Sequence, residues 1–240
     1  LDGYKPEQSL RSKVKVDDYA DVWSFDGSST KQATGDNSDC ILNPVAEYKT
    51  LDRIRADATQ TRPGLEGTYV MCEVLDAEHG PHGSNTRTDC VNLVSNDWWF
   101  GFEQEYFMYK DGRPLGWPVK GKPRAQGDYY CGVGDNNVVG REIVDRHTEA
   151  CMNANIGITG TNAEVALGQW EFQVLGSGIR AGDDLWMARY ILQRIAEMKG
   201  VSINFAPKPQ SGDWNGSGMH TNFSNDDMRH QGSEAKLVKM

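Results

Sequence analysis

The stretch from Trp98 to Tyr109, with Phe102-Glu103-Gln104-Glu105-Tyr106 at its centre, constrains this chain more than any other. It is aromatic-rich and reads as a β-strand. Side chains two apart on a strand share a face, so Glu103 and Glu105 project together, about 6–7 Å apart. Phe100, Phe102 and Tyr106 face the other way and are apolar enough to be buried. Two like charges on a rigid strand need compensation from solvent, a basic partner or cations. For a lone E-x-E the solvated face is the commoner answer by roughly ten to one.

Other residues shift that balance. Glu171 lies mid-strand in Gln169-Trp170-Glu171-Phe172-Gln173, between two aromatics that favour burial, and Glu164 follows Gly160-Thr161-Asn162-Ala163. His220 sits on a strand edge after the glycine-rich turn Asp213-Trp214-Asn215-Gly216-Ser217-Gly218. A lone histidine in such a place is more often a hydrogen-bonded structural residue than a ligand. Together, four glutamates and a histidine form an oxygen-and-imidazole set suited to Mg²⁺ or Mn²⁺. A structural zinc site would call for thiolates or more histidines. Gly132-Val133-Gly134 lacks the lysine and the strand–turn–helix setting of a phosphate loop.

The net charge of −9 over 240 residues argues against a general nucleic-acid binder, which needs an excess of Lys and Arg. It suits a protein that holds anions through divalent cations. No apolar run is long enough for a membrane span and no signal-peptide start is present, so the sequence predicts a cytoplasmic protein. The five cysteines are scattered without C-x-x-C spacing, the usage of a reducing compartment.

Along the chain, Asp21–Phe25 and Gly67–Leu75 read as strands, with Asp26–Asp39 as loop between them. Asp76–Ser84 reads as a linker, which divides the chain into domains 1–82 and 83–240. Ser84-Asn85-Thr86 caps a predicted helix carrying Cys90, Leu93 and Val94 on one face. Arg141–Asn155 has helical spacing and is predicted to close at Gly157. Gly168–Val174 alternates, with Trp170, Phe172 and Val174 on one face and Gln169, Glu171 and Gln173 on the other. Asp183 is predicted to cap a helix that ends at Gly200, and strands follow at Val201–Ala206 and Gly218–Phe223. Interleaved strands and helices of this kind predict an α+β protein with a largely antiparallel sheet.

Several long motifs, in order, resemble the glutamine synthetases of the eukaryotic-type (type II) class. They are Asp26-Gly27-Ser28-Ser29-Thr30, Trp99 to Tyr106, Tyr129 to Gly134, Gly160 to Val165, Gln169 to Gln173, Pro207-Lys208-Pro209 and His220 to Ser224. The resemblance implies an N-terminal β-grasp domain followed by a catalytic domain built on a curved, mostly antiparallel sheet packed with helices. It also implies a homo-oligomeric ring in which one subunit's N-terminal domain closes the next subunit's site. The implied reaction joins ammonia to L-glutamate at the expense of ATP, through γ-glutamyl phosphate, releasing ADP and phosphate. By that likeness, Glu105, Glu164 and Glu171 hold the ion nearer the glutamate, and Glu103 and His220 hold the ion on the ATP phosphates. Asp213, Trp214, Asn215 and Gly216 bind the substrate glutamate. Asn222, Phe223 and Ser224 line the nucleotide side, and Trp99 packs against the adenine. Asp39 is similar to the aspartate that binds ammonium and helps deprotonate it, with Tyr130 beside it.

The sequence departs from the family pattern in three places. The family continues past a position equivalent to Met240 with an arginine-rich region, a flap glutamate and a further metal-binding glutamate beside paired arginines. The resemblance therefore marks the chain as C-terminally incomplete, and a start at Leu1 in place of a methionine leads to the expectation of more sequence upstream. Each missing charge-stabilising group typically costs about 3–4 kcal/mol in the transition state, so these 240 residues alone are expected to form little or no glutamine. Asp213 stands where the family usually has asparagine and adds a negative charge near the substrate. Val174-Leu175-Gly176 replaces the usual continuation after Gln173. Two other readings share the motifs: a related γ-glutamyl–amine ligase, and a non-catalytic homologue kept for scaffolding. Loss of metal ligands is expected of the second, yet all five remain.

Overall fold

Two antiparallel sheets organise the chain in a computed structural model that describes residues 1–16, 21–50 and 67–230. The first has the order β1 (Trp23–Asp26), β2 (Asp39–Thr50), β3 (Gly67–Leu75). The predicted strands at Asp21–Phe25 and Gly67–Leu75 are thus present, but β2, the central strand, had no counterpart in the sequence reading. Pro44 interrupts the run and cannot donate to a ladder. A register shift between Pro44 and Ala46 accommodates it as a bulge. The predicted loop 26–39 opens with a short 3-10 turn, Gly27–Thr30, capped by Asp26. The Asp26 carboxylate accepts from the Ser28 and Ser29 hydroxyls at 2.6 Å each. Those hydroxyls hold its pKa down to about 2.

The second sheet has β4 (Trp99–Lys110) at its centre. On one side β4 pairs with β7 (Gln169–Ser177), which pairs in turn with β6 (Ile158–Ala163). On the other side it pairs with β9 (Met219–Ser224) and β8 (Ser202–Asn204), while its far end pairs with the two-residue β5 (Arg113–Pro114) on the β7 side, so that Tyr109 lies between Pro114 and Ser202. Helices α2 (Arg141–Asn153) and α3 (Gly178–Met198) pack together over one face of this sheet. There Tyr106, Trp170 and Phe172 meet Ile191, Leu192 and Ile195 in a fully buried core. Truncating an aromatic of this kind to alanine typically costs about 3–5 kcal/mol. His147 of α2 belongs to this core. Burial lowers its pKa to about 4, so it stays neutral, and it hydrogen-bonds the Ala188 carbonyl at 3.0 Å.

Several predicted boundaries move. Helix α1 (Thr86–Leu93) starts as expected, with Asn85 capping it, but none of its residues is buried and Leu93 is 81% exposed. Helix α2 ends before Gly157, with Asn155 in the left-handed region at φ 56°. Gly157 is needed for another reason: a Cβ there would sit 2.1 Å from the Leu175 carbonyl oxygen. Asp183 is no cap. It lies in the second turn of α3, is buried, and receives a bidentate pair from Arg87 at 2.9 Å. A short helix, α4 (Asp226–His230), closes the described residues.

Neighbouring Asp184 fastens the first sheet to α3. Its Oδ1 accepts from the buried Tyr48 hydroxyl at 2.9 Å and from Arg180, and its Oδ2 accepts from the Gly157 N–H at 3.3 Å. Burial, reinforced by the Asp184 charge, pushes the Tyr48 hydroxyl well above its ordinary range, so it stays a donor.

Candidate metal centre

The antiparallel registers gather the acidic residues onto one patch. Glu105 pairs with Glu171 across β4 and β7, and Glu103 pairs with His220 across β4 and β9. Directly opposed strand residues have Cβ atoms about 4.5–5.5 Å apart, close enough to share a ligand. Glu164 enters from the end of β6, where Asn162 pairs with Glu171. Two groups result, Glu105–Glu164–Glu171 and Glu103–Glu171–His220, each with ligand atoms within 4.8 Å of one another. Glu171 belongs to both. The first group is buried, whereas Glu103 is half-buried and His220 exposed. Hard carboxylate oxygens with one imidazole, in two adjoining clusters, fit two divalent ions of the Mg²⁺ or Mn²⁺ type.

Four side-chain amides orient these carboxylates, a feature absent from the sequence reading. Gln173 Nε2 donates to Glu171 at 2.7 Å, Asn162 Nδ2 to Glu164 at 3.0 Å, and Asn222 Nδ2 to Glu103 at 3.4 Å. Gln169 Nε2 is shared between Glu105 at 3.3 Å and the Gly216 carbonyl at 2.8 Å. Glu105 Oε2 also accepts from the Gly218 N–H at 2.9 Å. Neutral donors fix each carboxylate without cancelling its charge, the usual role of a ligand's own supporting contacts. Gln169 also ties Glu105 to the loop 213–216. Gln169→Leu should therefore weaken Mn²⁺ binding by about 10-fold, read by titration of metal-free protein; unchanged affinity would remove Gln169 from this role.

Burial and crowding are visible in the electrostatics. Glu164 and Glu171 are both raised above the ordinary glutamate pKa of 4.5, first by burial and then by neighbouring carboxylates. A carboxyl with a raised folded-state pKa stabilises the fold below its unfolded pKa, and that contribution is lost as pH rises through the folded value. From this pair, metal-free protein should lose melting temperature between a pH in the ordinary glutamate range and one well above it, and Mn²⁺ should restore more at the higher pH. Equal Mn²⁺ stabilisation at both values would count against the buried cluster as the binding site.

The remaining predicted residues fall in three places. Tyr130 is exposed but borders the cluster: its hydroxyl is raised first by Cys131 and then by the charge of Glu164 and Glu171. The loop Asp213–Gly216 lies on the Glu105 side of the cluster. Trp214 packs on Trp117 at 4.5 Å between centroids, Asn215 N–H donates to Gln126 at 2.7 Å, and Lys208 donates to the Trp214 carbonyl. Only glycine fits at 216, where a Cβ would lie 2.8 Å from the Pro207 carbonyl oxygen. Asp213 makes no ion pair among the described residues. Asn222, Phe223 and Ser224 lie on β9 opposite Gly101, Phe100 and Trp99. The exposed Trp99 ring is covered at 4.3 Å by the Arg229 guanidinium, which also donates to Ser224. Asp39 is not brought to the cluster. It is exposed at the start of β2, opposite Asp26 on the other sheet.

Comparison with known proteins adds an independent finding. Residues 91–231 match the family model described as glutamine synthetase, catalytic domain. A protein named glutamine synthetase from Bradyrhizobium diazoefficiens is 48% identical over 98% of this chain and 68% of its own length. Another of that name from Frankia alni is 47% identical over 93% of the chain and 63% of its length. Glutamine synthetase 1, mitochondrial, from Drosophila melanogaster is 49% identical over 97% of the chain. The chain spans 58% of that relative.

Proposed function

The chain belongs to the glutamine synthetase family, and from that premise we propose that it carries the ion, glutamate and nucleotide sites of an ATP-dependent glutamate–ammonia ligase of the eukaryotic-type class. The observation that carries this reading is the pair of three-ligand groups sharing Glu171. Two divalent ions bound there would neutralise charge on both partners of a phosphoryl transfer between anions. Glu105, Glu164 and Glu171 hold the ion beside the glutamate, and Glu103 and His220 hold the ion beside the ATP phosphates. The loop 213–216, tied to Glu105 through Gln169, presents Asn215 and the Gly216 backbone to the substrate. Asn222, Phe223, Ser224 and Trp99 line the nucleotide side, where Arg229 adds a cation.

Ammonium must lose a proton before it attacks the acyl phosphate, and a carboxylate beside a tyrosine is a suitable acceptor. Tyr130 borders the cluster while Asp39 stands on the other sheet. That separation fits a homo-oligomeric ring in which the β-grasp domain, residues 1–82, of one subunit supplies Asp39 to the catalytic domain, residues 83–240, of the next. Retention of all five ligands favours this reading over a scaffold homologue. One relative bears a mitochondrial name, so the family is not confined to the cytoplasm.

The test is titration of a non-hydrolysable ATP analogue with and without Mn²⁺. Saturable binding that requires Mn²⁺ is expected. Failure to bind in the presence of Mn²⁺ would refute the assigned nucleotide side.

A further inference from the structure

A cavity of about 310 Å³ lies away from the acidic cluster, between the N-terminal segment 7–10, helix α3 and strand β8. Its volume is at the lower end of the range for small-molecule sites. The one cation in its wall among the described residues is Arg189, whose guanidinium lies 4.4 Å from the Trp186 ring centroid and 4.2 Å from that of Phe205. Arg189 is half-buried, a setting in which an arginine commonly has an acidic partner. Here, among the described residues, no carboxylate pairs with Arg189 and no protein acceptor takes its N–H groups. The Gln193 amide and the Ser202 hydroxyl, which line the same cavity, are likewise without a protein acceptor among those residues.

We infer that this cavity is a binding site for a small organic carboxylate, received by Arg189 with Gln193 and Ser202 as further donors and with its carbon skeleton against Trp186 and Phe205. Both rings are in cation–π contact with the guanidinium, whose N–H groups have no protein acceptor among the described residues and suit a planar carboxylate received through two parallel hydrogen bonds. A monoanion fits better than a dianionic phosphate because Glu7, exposed at the rim, sets a negative charge against the single arginine. Burial lowers the Arg189 pKa and Glu7 opposes that shift, which places the two charges within electrostatic reach. A guanidinium remains protonated throughout.

The test uses the 240-residue chain freed of metal, because carboxylates would otherwise follow ions into the acidic cluster. Isothermal titration with butyrate, acetate and inorganic phosphate should show one saturable site that prefers butyrate, with phosphate weakest. Arg189→Met should weaken butyrate binding about 10-fold or more, the scale of a hydrogen bond to a charged group. Glu7→Gln should tighten it. If Arg189→Met does not fold, Gln193→Ala decides, with a loss of several-fold expected. Absence of saturable butyrate binding, or binding unchanged in the Arg189 and Gln193 variants, would overturn the proposal. Phosphate binding as tightly as butyrate would overturn the assignment to carboxylates.

Discussion

Glu171→Gln is expected to lower Mn²⁺ affinity at least about 100-fold, beyond the 10–100-fold typical of losing a residue that merely supports a ligand. The substitution keeps the size and shape of the side chain and removes one negative charge. Glu171 is the carboxylate common to both ligand groups, so both ion positions should weaken together. Glu103→Gln should affect only the group with His220, and Glu164→Gln only the group with Glu105. The glutamine variant relieves crowding among buried carboxylates, so the metal-free protein should melt no lower than the parent. Calorimetric titration of the three variants reads the pattern. Equal losses in all three would mean that Glu171 is not shared.

The second large effect concerns the joint between the sheets. Asp184→Ala removes the acceptor of the Tyr48 hydroxyl, the Arg180 guanidinium and the Gly157 N–H at once. Arg180 is exposed enough to turn to solvent, but leaving the buried Tyr48 hydroxyl and the half-buried Gly157 N–H without their charged acceptor, at about 1.5 kcal/mol or more each, costs about 3 kcal/mol or more. For a chain of this size that corresponds to a fall of about 6–12 °C in melting temperature. Tyr48→Phe, which leaves Arg180 and Gly157 on the carboxylate, should cost about 1–2 kcal/mol. Thermal unfolding of the two variants tests the joint, and a loss under about 1 kcal/mol for Asp184→Ala would contradict it.

The residues differ in how legible they were from sequence, and the reasons are physical. The carboxylates were readable because period-two alternation next to buried aromatics fixes which way Glu103, Glu105 and Glu171 point. Family likeness then joined residues that no local pattern links. Strand β2 was hidden by Pro44, which locally argues against a central strand, and only the bulge at 44–46 permits it. The start of α3 was misplaced because Asp183 resembles a cap in sequence, whereas its true partner, Arg87, lies 96 residues away. The orienting amides were missed for a similar reason. Gln169 and Gln173 alternate with aromatics as a solvent-facing row would, and their sharing a face with Glu171 was the available signal.

The central claim is that four glutamates and one histidine, brought together by β4, β6, β7 and β9, form a two-ion site. It is tested most directly by electron paramagnetic resonance of Mn²⁺ added to metal-free protein. The account predicts two bound ions per chain with mutually coupled spins, since the two ligand groups share a carboxylate. A single uncoupled ion, or no bound ion, would contradict it.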